Sequence, residues 1–233
     1  MKGKLTLVPT PIDEENPLEQ VAFKVLKEAY ETKKEKTLFV IEDLKAGRRR
    51  WIRWGLPREV VDDFILYNEH TYEKMSLELL GELQKGKDVF LMSDGGLPAF
   101  CDPGRKLVDL CHTHHLKVTS TPFPHSISLA ISLSGFSHQN YWFEGFLPVK
   151  KEARQKRWKE LLEIKSTLIL MDTPYRLEKT LQELDQHLKK RREAFLALDL
   201  NGKTEELYRG KPIQILKKLK EKKREFILVI SSV

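Results

Sequence analysis

Short apolar runs of strand length alternate along this chain with segments in which apolar residues recur at helical spacing. In the first half, strands are predicted at 5–8, 37–41, 64–67, 89–92 and 118–120, and helices at 17–30, 43–53, 75–84 and 104–115. Helices that connect successive strands are typical of parallel sheets. The first half therefore predicts an α/β sheet that is mostly parallel.

The pattern restarts after the proline-rich segment Thr121-Pro122-Phe123-Pro124. Here strands are predicted at 141–144, 167–171, 195–199 and 226–230, and helices at 126–134, 151–163, 175–190 and 211–222. Asn201-Gly202, between the segments 195–200 and 203–208, is typical of a two-residue hairpin turn. We therefore expect an α/β protein of two domains, with a mostly parallel sheet in 1–120 and a mixed sheet in 121–233.

Composition restricts the class of protein. Forty per cent of the 233 residues are hydrophobic, yet no apolar run approaches the roughly 20 residues of a membrane span. The N-terminal residues do not resemble a signal peptide, and two cysteines, Cys101 and Cys111, make no disulfide framework. We therefore expect a cytoplasmic protein that does not associate with membranes.

Positive charge is concentrated in the second half of the chain. Residues 1–119 carry 19 Lys and Arg against 20 Asp and Glu, whereas residues 120–233 carry 22 against 14. A basic half favours an anionic partner, with nucleic acid as the leading candidate. A solvated surface of Lys and Glu explains the same charge, and both interpretations remain open.

Two clusters of basic residues are candidates for contact with nucleic acid. In the first cluster, basic side chains lie beside Trp51 and Trp54, which suits phosphate contact combined with base stacking. An amphipathic helix that buries its tryptophans is the alternative. The first cluster is Lys45, Arg48, Arg49, Arg50 and Arg53, and the second is Lys150, Lys151, Arg154, Lys156 and Arg157.

Four predicted strands end in loops that contain proline, and the third of these loops is the segment 121–124. Ligands bind at the carboxyl ends of the strands in open α/β sheets, and stiff loops there make a preformed pocket. The turn after strand 89–92 carries Asp94 and Asp102 and no basic residue before Arg105, which disfavours a phosphate-bearing ligand. Carboxylates and carbonyls instead suit a ligand with positive charge and hydrogen-bond donors, such as S-adenosylmethionine.

The same turn resembles a family motif. Ser93-Asp94-Gly95-Gly96-Leu97-Pro98-Ala99-Phe100-Cys101-Asp102-Pro103-Gly104 is similar to Ser-Asp-Ala-Gly-Thr-Pro-Gly-Ile-Ser-Asp-Pro-Gly of the tetrapyrrole methylase superfamily, the class III S-adenosylmethionine-dependent methyltransferases. Within it, the chain resembles, as a divergent relative, the branch that methylates a cytidine ribose 2′-oxygen of 16S ribosomal RNA. Further similarities follow in the same order at residues 8–12, 42–45 with Arg48-Arg49, 68–70, 143–148 and 173–176.

The resemblance implies a two-domain tetrapyrrole methylase-like fold, a cofactor cleft between the domains, S-adenosylmethionine as cofactor and a homodimer. Asp94 is expected to accept a hydrogen bond from the cofactor, with a turn-capping role as the alternative. Carried over position by position, the cofactor contacts are Pro9, Asp94, Leu97, Pro98, Ser126, Ile127 and Met171. The expected substrate contacts are Arg48, Arg49 and Arg176.

Methyl transfer requires the nucleophile, the methyl group and the sulfur to be in line, and a base helps where the nucleophile is a hydroxyl. Glu42, Asp43 and His70 follow strands of the first domain and are the candidate bases, with hydrogen bonding or helix capping as the alternative for each. No metal is expected, because Cys111-His112-Thr113-His114-His115 lacks tetrahedral ligand spacing and lies at a predicted helix end.

The expected activity is therefore S-adenosylmethionine-dependent methylation of small-subunit ribosomal RNA at a ribose 2′-oxygen. Leu97, His125 and Tyr175 depart from the Thr, Ser and His of the family motifs. These departures keep two alternatives open. One is a methyltransferase of the same fold that acts on a small molecule, a tetrapyrrole or a protein, and the other is an inactive relative that binds cofactor or RNA.

Overall fold

The computed structural model describes residues 2–123, 125–188 and 191–233. The chain divides into two compact units, Met1–Phe123 and Pro124–Val233. Pro124 of the predicted proline-rich loop lies outside the described residues. In the described parts of the chain, no helix has the length and apolar character needed to cross a membrane.

The first unit contains a five-stranded sheet in the order β3-β2-β4-β1-β5, with every neighbouring pair parallel. Its strands are β1 Lys4–Val8, β2 Thr37–Ile41, β3 Ile65–Leu66, β4 Asp88–Met92 and β5 Lys117–Ser120. Its helices are α1 Gln20–Lys33, α2 Leu44–Arg53, α3 Tyr72–Gln84 and α4 Arg105–Thr113.

Both faces of this sheet are covered, because alternate residues of each strand point to opposite sides. In β4, Phe90 and Met92 pack in a cluster with residues of α1 and with Trp51 of α2. Val89 and Leu91 pack on the other face, in a cluster with residues of α3 and α4. The chain therefore leaves β1 toward one face and β4 toward the other, although β1 and β4 are neighbours. This divergence is the topological switch point at which open α/β sheets bind ligands.

The second unit contains a five-stranded sheet in the order β6-β7-β10-β8-β9. The β6–β7 pair is parallel and the other pairs are antiparallel, so this sheet is mixed. Its strands are β6 Tyr141–Phe146, β7 Thr167–Asp172, β8 Ala194–Leu198, β9 Glu206–Gly210 and β10 Phe226–Ile230. Its helices are α5 Ser126–Ser134, α6 Lys151–Glu163, α7 Leu177–His187 and α8 Pro212–Lys218. The predicted α/β fold class, with one parallel and one mixed sheet, is confirmed.

The predicted two-residue turn at Asn201-Gly202 is wrong, although the hairpin itself is present. Strand β8 ends at Leu198 and β9 begins at Glu206, so the connecting loop spans 199–205. The Asp199 carboxylate accepts hydrogen bonds from Thr204 Oγ1 and Arg224 Nε, at 2.7 and 2.8 Å. These bonds tie the two ends of a longer loop together, which local turn chemistry does not reveal.

Several predicted helix ends are also wrong. Helix α1 begins at Gln20 because Glu19 accepts from the Ala22 N–H as its N-cap, and it continues to Lys33. Helix α8 ends at Lys218 rather than 222, since Leu219 is extended and buries its side chain. Helix α7 begins at Leu177 after a 3₁₀ turn and ends at His187, and the predicted residues 189–190 lie outside the described ones.

A buried ion-pair network holds α6, β7 and α7 together. The Arg154 guanidinium donates to Asp172 Oδ2 at 2.8 Å, to Glu183 Oε2 at 2.5 Å and to Thr180 Oγ1 at 2.7 Å. Only 1% of the Arg154 side chain is exposed. The prediction that Arg154 belongs to an RNA-contacting surface is therefore wrong, because Arg154 is buried and forms ion pairs with two carboxylates of the same unit.

Replacing Asp172 with Ala should lower the free energy of unfolding by about 3–5 kcal/mol, because it leaves the Arg154 charge buried without this partner. Chemical denaturation measures the change. The exposed Lys74–Glu78 pair provides the control, since Glu78→Ala should cost less than about 1 kcal/mol. Equal losses in the two variants would contradict a structural role for the network.

Candidate functional site

The loops that follow β1 and β4 are joined at the switch point by an antiparallel backbone bridge between Thr10 and Gly96. The Thr10 N–H donates to the Gly96 carbonyl at 3.0 Å, and the Gly96 N–H donates to the Thr10 carbonyl at 2.9 Å. Thr10 Oγ1 also donates to the Ser93 carbonyl at 2.9 Å inside the unit. Two loops that leave the sheet in opposite directions therefore form one rigid element.

Glycine is required at one point of this element. Gly96 has a φ of +92°, a conformation that side chains disfavour, and Ser93 Oγ donates to its carbonyl at 3.0 Å. Pro9 and Pro98, both predicted to contact the cofactor, are buried in the same loops, and Leu97 between Gly96 and Pro98 is half-buried. The structure thus brings Pro9, Leu97 and Pro98 to the same edge of the sheet.

Asp102 organises the second part of the turn. Its Oδ1 accepts from the backbone N–H groups of Ala99 and Gly104, both at 2.8 Å. A Cβ on Gly104 would lie 2.9 Å from both the Ala99 nitrogen and Asp102 Oδ1, which explains the glycine there. Ala99 and Cys101 have a φ of +65°, at a cost of about 1–2 kcal/mol for a residue other than glycine.

Three carboxylates meet where β2 and β4 end. The Glu42 carboxylate accepts from the Asp94 N–H at 3.2 Å, and the Asp94 carboxylate accepts from the Asp43 N–H at 3.3 Å. Asp43 Oδ1 accepts from the Ala46 N–H at 2.8 Å and caps helix α2. The structure thus brings together Glu42, Asp43 and Asp94, which the sequence named separately.

Charge repulsion and burial act on these carboxylates. Burial, followed by the negative charges of Glu42 and Asp43, raises the pKa of Asp94 to about 6. Burial, with a smaller contribution from Glu42, raises the pKa of Asp102 to about 6 despite its two backbone hydrogen bonds. A positively charged ligand near these groups would relieve the repulsion and keep them ionised.

An open pocket of about 200 Å³, which includes solvent-filled space, lies beside the carboxylates. Glu42 and Asp102 contribute its acidic groups, and Tyr67 contributes a phenol. The remaining lining residues are Leu91, Met92, Ser93, Pro98, Pro103 and Gly104. The pocket therefore combines an apolar wall with hydrogen-bond acceptors, as expected of a site for a small organic cation.

Arginines of helix α2 hold the segment 11–15 that follows the Thr10 bridge. Arg50, 7% exposed, donates to the Pro11 carbonyl at 2.7 Å. Arg49 pairs with Glu14, and Arg53 donates to the Glu14 carbonyl at 2.9 Å and pairs with Glu15 at 2.6 Å. Sequence reasoning missed this arrangement, although the acidic run at 13–15 was a visible signal for it.

The two tryptophans of the first basic cluster differ in their exposure. Trp51 is fully buried, packs edge-on against Phe39 and Phe64, and donates through Nε1 to the Pro57 carbonyl at 2.8 Å. Trp54 is half-buried and packs against the same core. For Trp51, the structure shows the amphipathic helix with a buried tryptophan, and the stacking prediction is wrong.

The other predicted substrate and base residues are more exposed. Arg48 donates to the Val61 carbonyl at 3.1 Å and lies 3.9 Å from an Asp62 carboxylate oxygen, with 44% of its side chain exposed. His70, 81% exposed, lies 3.4 Å from Glu69 in the loop after β3. Within the described ranges, no three His, Cys, Asp or Glu side chains are grouped as a metal site would require.

In the second unit, Ser126 and Ile127 form the start of α5, which packs against β10. Met171 lies near the end of β7 and pairs with Ile227 of β10. Arg176 donates to Asp172 Oδ1 at 3.3 Å in the turn that follows β7. The roles of these four residues toward cofactor and substrate stay predictions, as does a cofactor cleft between the domains.

The family model described as Tetrapyrrole (Corrin/Porphyrin) Methylases matches residues 4–214 of this chain. The chain belongs to this family. It is 32% identical to a ribosomal RNA small subunit methyltransferase I of Thermotoga maritima, over 95% of this chain and 94% of that protein. It is 30% identical to the protein of the same name from Vibrio cholerae, over 97% of this chain and 76% of that protein.

Solved structures of similar fold include a diphthine synthase, with a TM-score of 0.70 and 12% identity over 99% of this chain and 90% of that one. A uroporphyrin-III C-methyl transferase from Thermus thermophilus complexed with S-adenyl homocysteine has a TM-score of 0.58 and 16% identity, over 98% and 97% of the two chains. The predicted family, the methyltransferase activity and S-adenosylmethionine as cofactor are confirmed.

The residues at the switch point fit this cofactor. S-adenosylmethionine carries a sulfonium and an ammonium and has no phosphate, and the charged groups lining the pocket, Glu42 and Asp102, are carboxylates. Burial and the neighbouring carboxylates raise the pKa of Asp94, so a cationic ligand there would favour its ionised form. Asp94, with Pro9, Leu97 and Pro98 in the bridged loops, would hold the cofactor.

Because of the backbone strain in the turn, two substitutions should change the free energy of unfolding in opposite directions. Ala99→Gly should raise the free energy of unfolding by about 1 kcal/mol, since glycine adopts a φ of +65° without the penalty of a side chain. Gly96→Ala should lower it by about 1–2 kcal/mol, although a Cβ there meets no atom within 4 Å. Urea unfolding measures both changes.

Gly81→Ala in helix α3 is the control for this pair, because it makes the same chemical change at a helical position with space for a Cβ. It should raise the free energy of unfolding by roughly 0.5–1 kcal/mol. A Gly96→Ala variant as stable as the wild type would show that the positive φ does not constrain the bridge.

The raised pKa values predict that cofactor affinity depends on pH. Below about pH 6, Asp94 and Asp102 become protonated and lose the charge that attracts a sulfonium and an ammonium. Calorimetry should show the affinity for S-adenosylmethionine falling roughly tenfold from pH 7.5 to pH 5. Asp94→Asn should bind more weakly at pH 7.5 and show a shallower dependence.

Asp109→Asn serves as the control, because it removes a carboxylate from the exposed surface of helix α4. This variant should keep the wild-type affinity and pH profile. A profile that is the same in Asp94→Asn and in the wild type would rule out Asp94 as a charged contact of the cofactor.

Proposed function

We propose that this protein methylates ribosomal RNA of the small subunit, with a ribose 2′-oxygen as the acceptor. The observation that carries the proposal is the 32% identity to a ribosomal RNA small subunit methyltransferase I across 95% of this chain and 94% of that relative. Similarity over the whole length includes the segments that would contact the substrate as well as those around the cofactor. S-adenosylmethionine supplies the methyl group, already activated by its sulfonium.

The protein contributes alignment and acceptance of a proton. The bridged loops at Thr10 and Gly96 keep the cofactor-facing backbone fixed, which lowers the entropic cost of bringing nucleophile and methyl group into line. Asp94 acts as the acceptor for a positively charged or hydrogen-bond-donating part of the cofactor. Pro9, Leu97 and Pro98 act beside it, and Ser126, Ile127 and Met171 contribute from the second unit.

A ribose hydroxyl must lose its proton as the new oxygen–carbon bond forms, and Glu42 is our first candidate for the base. Its carboxylate lines the pocket and is oriented by the Asp94 N–H. Asp43 is the second candidate, with one oxygen engaged in capping α2. His70 is the third, in the exposed loop after β3.

Arg48, Arg49 and Arg176 would bind RNA phosphates. Arg48 and Arg49 are about half exposed, and their present partners are surface carboxylates of Asp62 and Glu14. An ion pair at the surface contributes little free energy, so phosphate can replace a carboxylate at low cost.

We also propose that the protein acts in the cytoplasm, with ribosomes as its substrate, and that it forms a homodimer.

Transfer of label from S-adenosylmethionine to small ribosomal subunits tests the proposal. Subunits from cells that lack the enzyme should accept about one methyl group each, at a linkage that then resists alkaline cleavage because its 2′-oxygen is blocked. Subunits that already carry the modification provide the control. Label in a base, in protein or in a small molecule would contradict the proposed acceptor, and binding without transfer would support an inactive relative.

Two variants resolve the base in the same assay. Glu42→Gln should lower the rate of transfer at saturating cofactor by about 10²–10⁴-fold, because it removes the proton acceptor. His70→Asn, at an equally polar but exposed position, should retain most of the rate. The reverse result would transfer the role of base to His70.

A further inference from the structure

We propose that Tyr175, Arg176 and Lys223 form a binding site for single-stranded RNA on the second unit. The site rests on the proposed function, since it names a surface that holds the RNA acceptor. Its three residues come from two segments, the turn after β7 and the stretch before β10.

Tyr175 presents an aromatic ring to solvent with a cation beside it. It is 76% exposed, and Lys223 Nζ lies 4.1 Å from the centre of its ring. Lys223 covers one face of the ring, and the high exposure leaves the other face open to a planar ligand. An exposed aromatic face next to a cation suits a nucleobase followed by its phosphate.

Hydrogen bonds to the Asp172 carboxylate hold the turn that carries Tyr175. Asp172 Oδ1 accepts from the Thr173 N–H at 2.9 Å and from Arg176 Nη1 at 3.3 Å, while Oδ2 is held by Arg154. The Arg176 backbone N–H donates to the Thr173 carbonyl at 2.9 Å, and this hydrogen bond closes the turn. A ring on a fixed turn loses little conformational entropy when a base stacks on it.

The residues on either side of Lys223 form ion pairs with carboxylates. Lys222 pairs with Glu178 at 2.6 Å, and Arg224 pairs with Asp199 at 2.8 Å and with Glu206 at 3.0 Å. The residues on either side are thus engaged with carboxylates, whereas Lys223 lies over an aromatic ring. Residues 217–223 carry five basic side chains and one carboxylate, which favours a polyanion along this stretch.

Single-stranded RNA fits this arrangement better than a duplex does. A stacking platform requires an unpaired base, whereas duplex RNA offers its backbone and a shallow groove. Tyr175 stands where the family motif has His, so this chain provides a larger stacking surface at that position. Arg176 and Lys223 would contact the phosphates that flank the stacked base.

Fluorescence anisotropy of the full-length protein with a labelled 12-nucleotide single-stranded RNA tests the site. Tyr175→Ala should weaken binding between about fivefold and about 150-fold, the range for loss of one stacked base, while Tyr175→Phe should bind like the wild type. Lys223→Gln should reduce the slope of log affinity against log salt by about 0.7, since one phosphate contact is lost.

Lys34→Gln is the matched control, because Lys34, directly after helix α1 of the first unit, places its Nζ 5.3 Å from the centre of the Tyr30 ring. It should leave both the affinity and the salt slope unchanged. Affinity for S-adenosylmethionine should be unchanged in Tyr175→Ala and Lys223→Gln, which shows that these variants remain folded.

Wild-type affinity in Tyr175→Ala, or an equal loss in the Lys34→Gln control, would overturn the site. Transfer of label to small subunits separates this result from failure of the proposed function. If the wild type methylates RNA but the variants bind the oligonucleotide as the wild type does, only the proposed binding site is wrong. If the wild type methylates no RNA, the proposed function is wrong, and the site that rests on it is wrong too.

Discussion

The backbone bridge between Thr10 and Gly96 is the constraint on which the candidate site depends. In a parallel sheet, the loops at the carboxyl ends of two neighbouring strands diverge when their helices cover opposite faces, and here they do so after β1 and β4. Divergence opens the crevice but gives the loops no common support. Two hydrogen bonds of about 3 Å supply that support, and the left-handed φ of Gly96 makes them possible.

Carboxylates and arginines near this bridge are directed to different parts of the unit. Carboxylates from the ends of β2 and β4 lie close together, and burial, with a smaller contribution from this repulsion, raises the pKa of Asp94 and of Asp102 to about 6. Arginines of α2 lie close by, yet they are turned toward the segment 11–15 and toward Asp62. Carboxylates thus lie at the loops after β2 and β4, whereas the arginines nearby hold the adjacent segment 11–15.

Much of this could be predicted from the sequence. Strands buried on both faces are nearly continuous apolar runs, so β2 and β10 were predicted with their observed bounds. The Ser93–Gly104 turn was recognisable because glycine and proline at fixed positions reflect backbone geometry. Asp94, Glu42 and Asp43 were predicted individually, and only the strand order β3-β2-β4 shows that they meet.

What could not be predicted depends on partners that are distant along the chain. Arg154 belongs to a run of basic residues on helix α6, and only Asp172 and Glu183 reveal that it is buried. Asn201-Gly202 had the right local chemistry for a tight turn, but the ties from Asp199 to Thr204 and Arg224 stabilise a longer loop. The cation–π contact of Tyr175 with Lys223 also joins segments that local patterns treat separately.

A crystal structure of the protein with S-adenosylhomocysteine, the demethylated cofactor, tests the central claim most directly. The account predicts ligand density at the carboxyl ends of β1 and β4, with the loops at 9–11 and 93–98 in contact and the Asp94 carboxylate within about 3.2 Å of a donor atom of the ligand. Density at a position that touches neither loop, with Asp94 bonded only to the protein, would contradict it.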